Sequence, residues 1–168
     1  MIITQTIDTH NKLKNKIMFY QTHLNFEFEK KIKLSNNLTH LTFECYFNIK
    51  INLSNSITHL TIGFYFNKKI KLSNSITHLK IGYCFNKKIK IPQNVTHLII
   101  GYKFNQKIKL SHNITHLIFN CNFKYNMNIN LTHNITHLIF NEMINPKINL
   151  LHNITSVIFK YNCDYELF

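Results

Sequence analysis

The histidines of this chain recur at an interval that could do chemistry. A Thr-His-Leu step carries His23, His40, His59, His78, His97, His116 and His137 at intervals of 17, 19, 19, 19, 19 and 21 residues, and a degenerate Thr155-Ser156-Val157 closes the series. If equivalent residues stack, the imidazoles from His40 to His137 form one row that could take up a divalent metal or sense pH. Imidazolium neighbours about 4.8 Å apart repel by roughly 1 kcal/mol even at the dielectric of water, so the row should resist full protonation. A metal site needs convergent ligands held by supporting partners, and a flat row offers neither. More simply, each ring hydrogen-bonds along the stack and is copied with the repeat, so no metal ligand is assigned.

Lysines fall on the same period. Lys69, Lys88 and Lys107 form one column, Lys71, Lys90 and Lys109 another, with Lys68 and Lys87 beside them. A groove for single-stranded nucleic acid pairs such charge with exposed aromatic platforms, for which Tyr65, Tyr83 and Tyr102 are candidates, while Phe66, Phe85 and Phe104 are expected in the core. Equally, solvated lysines keep a long sheet soluble and off its neighbours' edges. The net charge is +13, but all 20 basic residues are lysine. Arginine, whose planar fork reads phosphates and guanine edges, is absent. With no alanine or tryptophan and abundant Asn, Ile, Phe and Tyr, this is the usage of A- and T-rich coding DNA, which accounts for the charge at least as well as a polyanionic partner.

Catalysis finds no support. Between Cys45 and Asn141 there are 12 lysines and no acid, so paired carboxylates are excluded there, and neither a nucleophile with its base nor a phosphate-binding loop is present. Asn48, Asn67, Asn86 and Asn105 are expected to form an internal structural ladder at a repeated turn. Gly63, Gly82 and Gly101 are expected as turn glycines. No catalytic residue or cofactor is assigned.

The period dictates the elements that hold these columns. In the unit Ile57 to Ser75, Leu60 and Ile62 face one way while His59 and Thr61 face the other, and Ile70 and Leu72 alternate likewise with Lys69 and Lys71. This predicts a mainly β fold: one parallel β-solenoid of about seven 19-residue coils, two short strands per coil, with turns at Gly63 to Asn67 and Ser73 to Ser75. A lone coil buries too little to offset its ordering entropy, so stacking is obligatory. Residues 1–20 are read as a leader or cap without clear pattern and residues 21–168 as the repeat solenoid with its own C-terminal cap. Six of the seven acidic residues are terminal, as Asp8, Glu27, Glu29, Glu44, Asp164 and Glu166, which suits charged blunting of strand edges.

Cys45 and Cys84 lie two coils apart, about 10 Å at the strand spacing, beyond the roughly 7 Å limit between Cα atoms of a disulfide. Consecutive pairs through Cys121 and Cys163 fail similarly, which predicts four thiols and a reducing compartment. Neither a signal-peptide run nor an apolar stretch of membrane-spanning length occurs. The expected location is the cytoplasm, without secretion or a membrane partner.

The string Ser-Ile-Thr-His-Leu-x-Ile-Gly-x-x-Phe-Asn, at Ser56 to Asn67 and Ser75 to Asn86, resembles the FNIP repeat, named for its Phe-Asn-Ile-Pro motif. Ile91-Pro92 before Asn94-Val95-Thr96-His97-Leu98, and Ile144-Asn145-Pro146-Lys147-Ile148, are similar to further parts of that motif. The resemblance covers roughly Gln21 to Phe159. It implies a leucine-rich-repeat-like fold of the kind known from social amoebae and amoebal giant viruses, whose host cytosol would then be the location. Here Lys69, Lys88 and Lys107 replace the motif's proline, and the coils are shorter than usual for the family. Some relatives carry an F-box before the repeats, for which Met1 to Tyr20 is too short.

The expected function is a non-catalytic scaffold for protein–protein interaction. Its candidate face bears His40, His59, Thr61, His78, Lys80, His97, Ile99, His116, Ile118 and His137, whose partial apolarity suits a protein partner. The alternative is nucleic-acid binding through the lysine columns.

Overall fold

The alternation of the Thr-His-Leu-x-apolar stretch becomes a strand wherever the chain is described. A computed structural model describes residues 2–7, 13–18, 34–43, 45–120, 131–141 and 152–159. Its strands are β1 (Ile2–Ile7), β2 (Leu13–Met18), β3 (His40–Phe43), β4 (His59–Thr61), β5 (His78–Lys80), β6 (His97–Ile100), β7 (His116–Phe119), β8 (His137–Phe140) and β9 (Ser156–Phe159). They form a single 9-stranded sheet in sequence order. β1 and β2 make an antiparallel pair, and every later pairing is parallel.

Register follows the repeat: His40 faces His59, His59 faces His78, and so on to His116 against His137. Four columns point inward. They run through Leu38, Ile57, Ile76, Val95, Ile114 and Ile135; through Leu41 to Leu138; through Phe43, Ile62, Ile81, Ile100, Phe119 and Phe140; and through Phe47, Phe66, Phe85 and Phe104, all at or below 4% exposure. Two tight turns close each coil, as in Phe66 N–H to Gly63 O and Ile76 N–H to Ser73 O, both 3.3 Å.

Three sequence expectations need correction. The described residues make about 5 turns, not seven. The coil expected at His23 lies outside the described residues, and the place beside β3 is taken by β2. The second strand expected at Lys69 to Leu72 is absent, and ring spacing explains why. Equivalent rings in successive coils are nearly parallel, so their separation measures the local rise of the stack. It is 4.1–4.3 Å between histidines on the sheet face and 4.4 and 4.7 Å for Phe64, Tyr83 and Tyr102 just past the strands. It reaches 5.2 Å for Tyr46 and Tyr65 and 6.0, 6.2 and 6.3 Å for Phe47, Phe66, Phe85 and Phe104. The coils fan apart away from the sheet, which makes the sheet face concave. A backbone ladder needs strands about 4.8 Å apart, and the back layer is already too open.

Side chains bridge the opening shoulders. The backbone N–H of Tyr65, Cys84 and Lys103 still reaches the preceding coil's carbonyl at 2.8–2.9 Å. Two residues on, the bridge is a side chain: Asn67, Asn86 and Asn105 N–H each donate to Oδ1 of Asn48, Asn67 and Asn86 at 3.0 Å. On the other shoulder Ser56 and Ser75 hydroxyls donate to Leu38 O and Ile57 O at 2.7 and 2.6 Å. Asn94 and Asn113 amides do the same toward Asn74 O and Gln93 O at 2.8 Å.

The glycines are turn residues for a different reason from conformational freedom. A Cβ on Gly82 would sit 2.0 Å from Gly63 O, and one on Gly101 2.1 Å from Gly82 O, and neither glycine occupies the left-handed region. Close approach of successive coils excludes any side chain there. Gly82→Ala should therefore cost about 3 kcal/mol, seen as a large drop in thermal midpoint. Asn86→Ala, which removes the acceptor for Asn105 N–H and for Gln106 Nε2 at 2.9 Å, should cost about 1 kcal/mol or more; an unchanged melt would contradict the bridging role.

Candidate functional site

Each histidine of the row is positioned by the threonine before it. Thr58 N–H and His59 N–H both donate to Thr39 O, at 2.8 and 3.0 Å, and the Thr58 hydroxyl donates to the same carbonyl at 3.2 Å. With its single proton so committed, Thr58 Oγ1 can only accept from His59 Nδ1, 2.9 Å away. The arrangement repeats at Thr77–His78, Thr96–His97, Thr115–His116 and Thr136–His137. It fixes the Nδ1–H tautomer and leaves Nε2 as the acceptor nitrogen.

The rings then stack within 9–13° of parallel. Parallel rings give parallel Nε2 lone pairs, which do not converge on one ion. Among the described residues no group of His, Cys, Asp and Glu could hold a metal. Burial, then the charge of neighbouring imidazoles, pushes His78, His97 and His116 below the ordinary histidine value.

Beside the histidines runs the second outward row. Its members are Thr42, Thr61, Lys80, Ile99, Ile118, Ile139 and Ile158, paired strand to strand. Together His59, Thr61, His78, Lys80, His97, Ile99, His116 and Ile118 line a shallow open groove of about 300 Å³. His40 and His137 extend the row at either end. Along the second row Thr42, Thr61 and Lys80 occupy one end and isoleucines the other.

The lysines lie elsewhere. Lys69, Lys88, Lys107, Lys71, Lys90 and Lys109 are exposed on the layer that turns Ile70, Leu72 and Ile89 toward the core. Lys68 is exposed and Lys87 half-buried. Lys50, one coil before Lys69, extends their column, although its coil lacks the Lys-Lys pair that marks the others in sequence. Tyr65 does not share a column with Tyr83 and Tyr102: it stacks on Tyr46, whereas Phe64, Tyr83 and Tyr102 form a separate pile. Lys103 lies beside that pile, its Nζ 5.5 Å from the centroid of the Tyr83 ring.

Cys45 and Cys84 are thiols, while Cys121 and Cys163 lie outside the described residues. The threonine hydroxyls, which hold the whole row, were not singled out from sequence. Their signal was present, since Thr precedes every histidine of the series.

The FNIP repeat model matches residues 66–103. The fold is similar to that of CroV588, a giant-virus protein whose crystal structure is described as a novel circular LRR protein structure. The TM-score is 0.57, with 33% identity over 79% of this chain and 26% of that one. Residues 66–103 carry an FNIP repeat, and the chain is a leucine-rich-repeat-like repeat protein. It spans about a quarter of the length of that circular protein. No curated protein matches it.

The lowered histidine values carry a stability consequence. Because His78, His97 and His116 in the folded FNIP-type chain fall below 6.5, the unfolded chain binds protons more readily, and folding is favoured above that pH. Stability is lost as pH falls through the lowered values. Thermal melts should show a lower midpoint at pH 5 than at pH 7.5, with a smaller difference in His78→Gln/His97→Gln; equal pH dependence in variant and wild type would remove the histidine row as the cause.

Proposed function

We propose that this chain is a non-catalytic scaffold of the cytosol that docks a protein on its concave sheet face. The observation that supports this most is the second outward row, where Ile99, Ile118 and Ile139 are half-buried and Ile158 is 41% exposed. An apolar column in the open, flanked by histidine acceptors, does nothing for the core, and an exposed apolar patch is what a partner covers. Leucine-rich-repeat-like folds generally mediate protein interactions. The partner surface that fits presents apolar side chains to the isoleucines and N–H or O–H donors to the imidazole Nε2 atoms.

Capture from cytosol by the full chain, with and without nuclease, tests this. A protein should be retained after nuclease treatment and lost with Ile99→Glu/Ile118→Glu, a pair whose side chains point away from the core. Retention that is insensitive to this pair, or abolished by nuclease, would contradict the docking face.

A further inference from the structure

The lysines of the central coils are segregated by face. Between Cys45 and Asn120 every charged side chain is a lysine, yet of the strands in that span only β5 carries one, Lys80, while β2, before them, sets Lys14 and Lys16 beside His40 and Thr42. Lys50, Lys69, Lys88 and Lys107 occupy one column and Lys71, Lys90 and Lys109 the next, every one of them exposed. Coding bias sets how many lysines a chain has, but not where they stand. The same bias supplies Asn and Ile, and the sheet face is built from His, Thr and Ile.

The fold turns these columns into a lattice. Lys69 and Lys71 are two residues apart on extended backbone, about 6.6 Å. The 6.0–6.3 Å rise at the phenylalanine column is reached before the chain enters this layer, so the columns are set about as widely along the stack. Lysines on such a grid form an extended array, and the sequence from Cys45 to Asn120 holds no acid. They suit a polymer that carries one negative charge per unit.

Curvature narrows the choice of polymer. Because the coils fan apart toward this layer, the lysine surface is convex along the stack. A flat anionic bilayer touches only its crest, whereas a flexible strand can follow it. Stacking covers both faces of Tyr83 and one face each of Phe64, Tyr102, Tyr46 and Tyr65, so these rings offer no continuous row of base platforms. With no arginine, the columns offer point charges without a planar fork, which suit phosphates better than bidentate reading of base edges.

We propose that the convex lysine columns bind single-stranded nucleic acid through its phosphates, without base recognition. This surface is separate from the protein-docking face, and the two stand or fall independently.

Fluorescence anisotropy of a labelled oligothymidylate with the full chain tests it. If all the lysines from Lys50 to Lys109 in the two columns engage, log K should fall against log salt with a slope of about −5. Lys69→Gln/Lys88→Gln/Lys107→Gln should flatten that slope by about 2 and weaken binding at least tenfold, with an unchanged circular dichroism spectrum. Lys71→Gln/Lys90→Gln/Lys109→Gln should act alike, and Lys80→Gln should change neither quantity. An oligocytidylate of equal length should bind equally. A slope near zero, a triple variant that binds as wild type does, or tighter binding of polyglutamate or phosphatidylserine vesicles at equal charge would overturn the proposal.

Discussion

The carbonyl oxygen of Thr58 receives three hydrogen bonds from the coil that follows: Thr77 N–H at 2.8 Å, His78 N–H at 3.1 Å and the Thr77 hydroxyl at 3.2 Å. The same cluster recurs at Thr39, Thr77, Thr96, Thr115 and Thr136. It is where the coils are clamped most closely, and it sits at the entrance of every strand. Once the hydroxyl proton is spent there, the imidazole tautomer, its orientation and the stacking of the row follow.

From that clamp the coils open like a fan. Near it, backbone meets backbone; at the shoulders, Asn, Ser and Gln side chains span the gap; in the back layer, among the described residues, the coils meet through Ile70, Leu72 and their equivalents. Opening in one direction is curvature, and curvature divides the surface in two. The concave face gathers acceptor nitrogens and isoleucines, while the convex face gathers lysines. One geometric gradient therefore sets both the fold and the chemistry of its two candidate surfaces.

The alternating His-Leu-x-Ile stretch made β4 to β8 legible, because a two-residue period with β-branched neighbours has few other outlets. Ile70 and Leu72 alternate just as cleanly, yet form no strand. Alternation reports which side chains face the core, but not how far away the next coil lies, and only that distance decides whether a ladder closes. The glycines misled in a similar way: Gly82 is required by Gly63 O in another coil, a contact that local turn chemistry does not reveal. Tyr65 was grouped with Tyr83 and Tyr102 by residue type, while spacing alone, 18 and 37 residues from it against a period of 19, places it one column away. β1 and β2 had no periodic signal, since they belong to an antiparallel pair outside the repeat.

The clamp can be observed without any variant, through the scalar couplings that nuclear magnetic resonance detects across hydrogen bonds. The amide nitrogens of Thr77, Thr96 and Thr115 should couple to the carbonyl carbons of Thr58, Thr77 and Thr96, each nineteen residues earlier. Couplings to carbonyls four residues back, or to any residue out of that register, would contradict the stacked coils on which both surfaces depend.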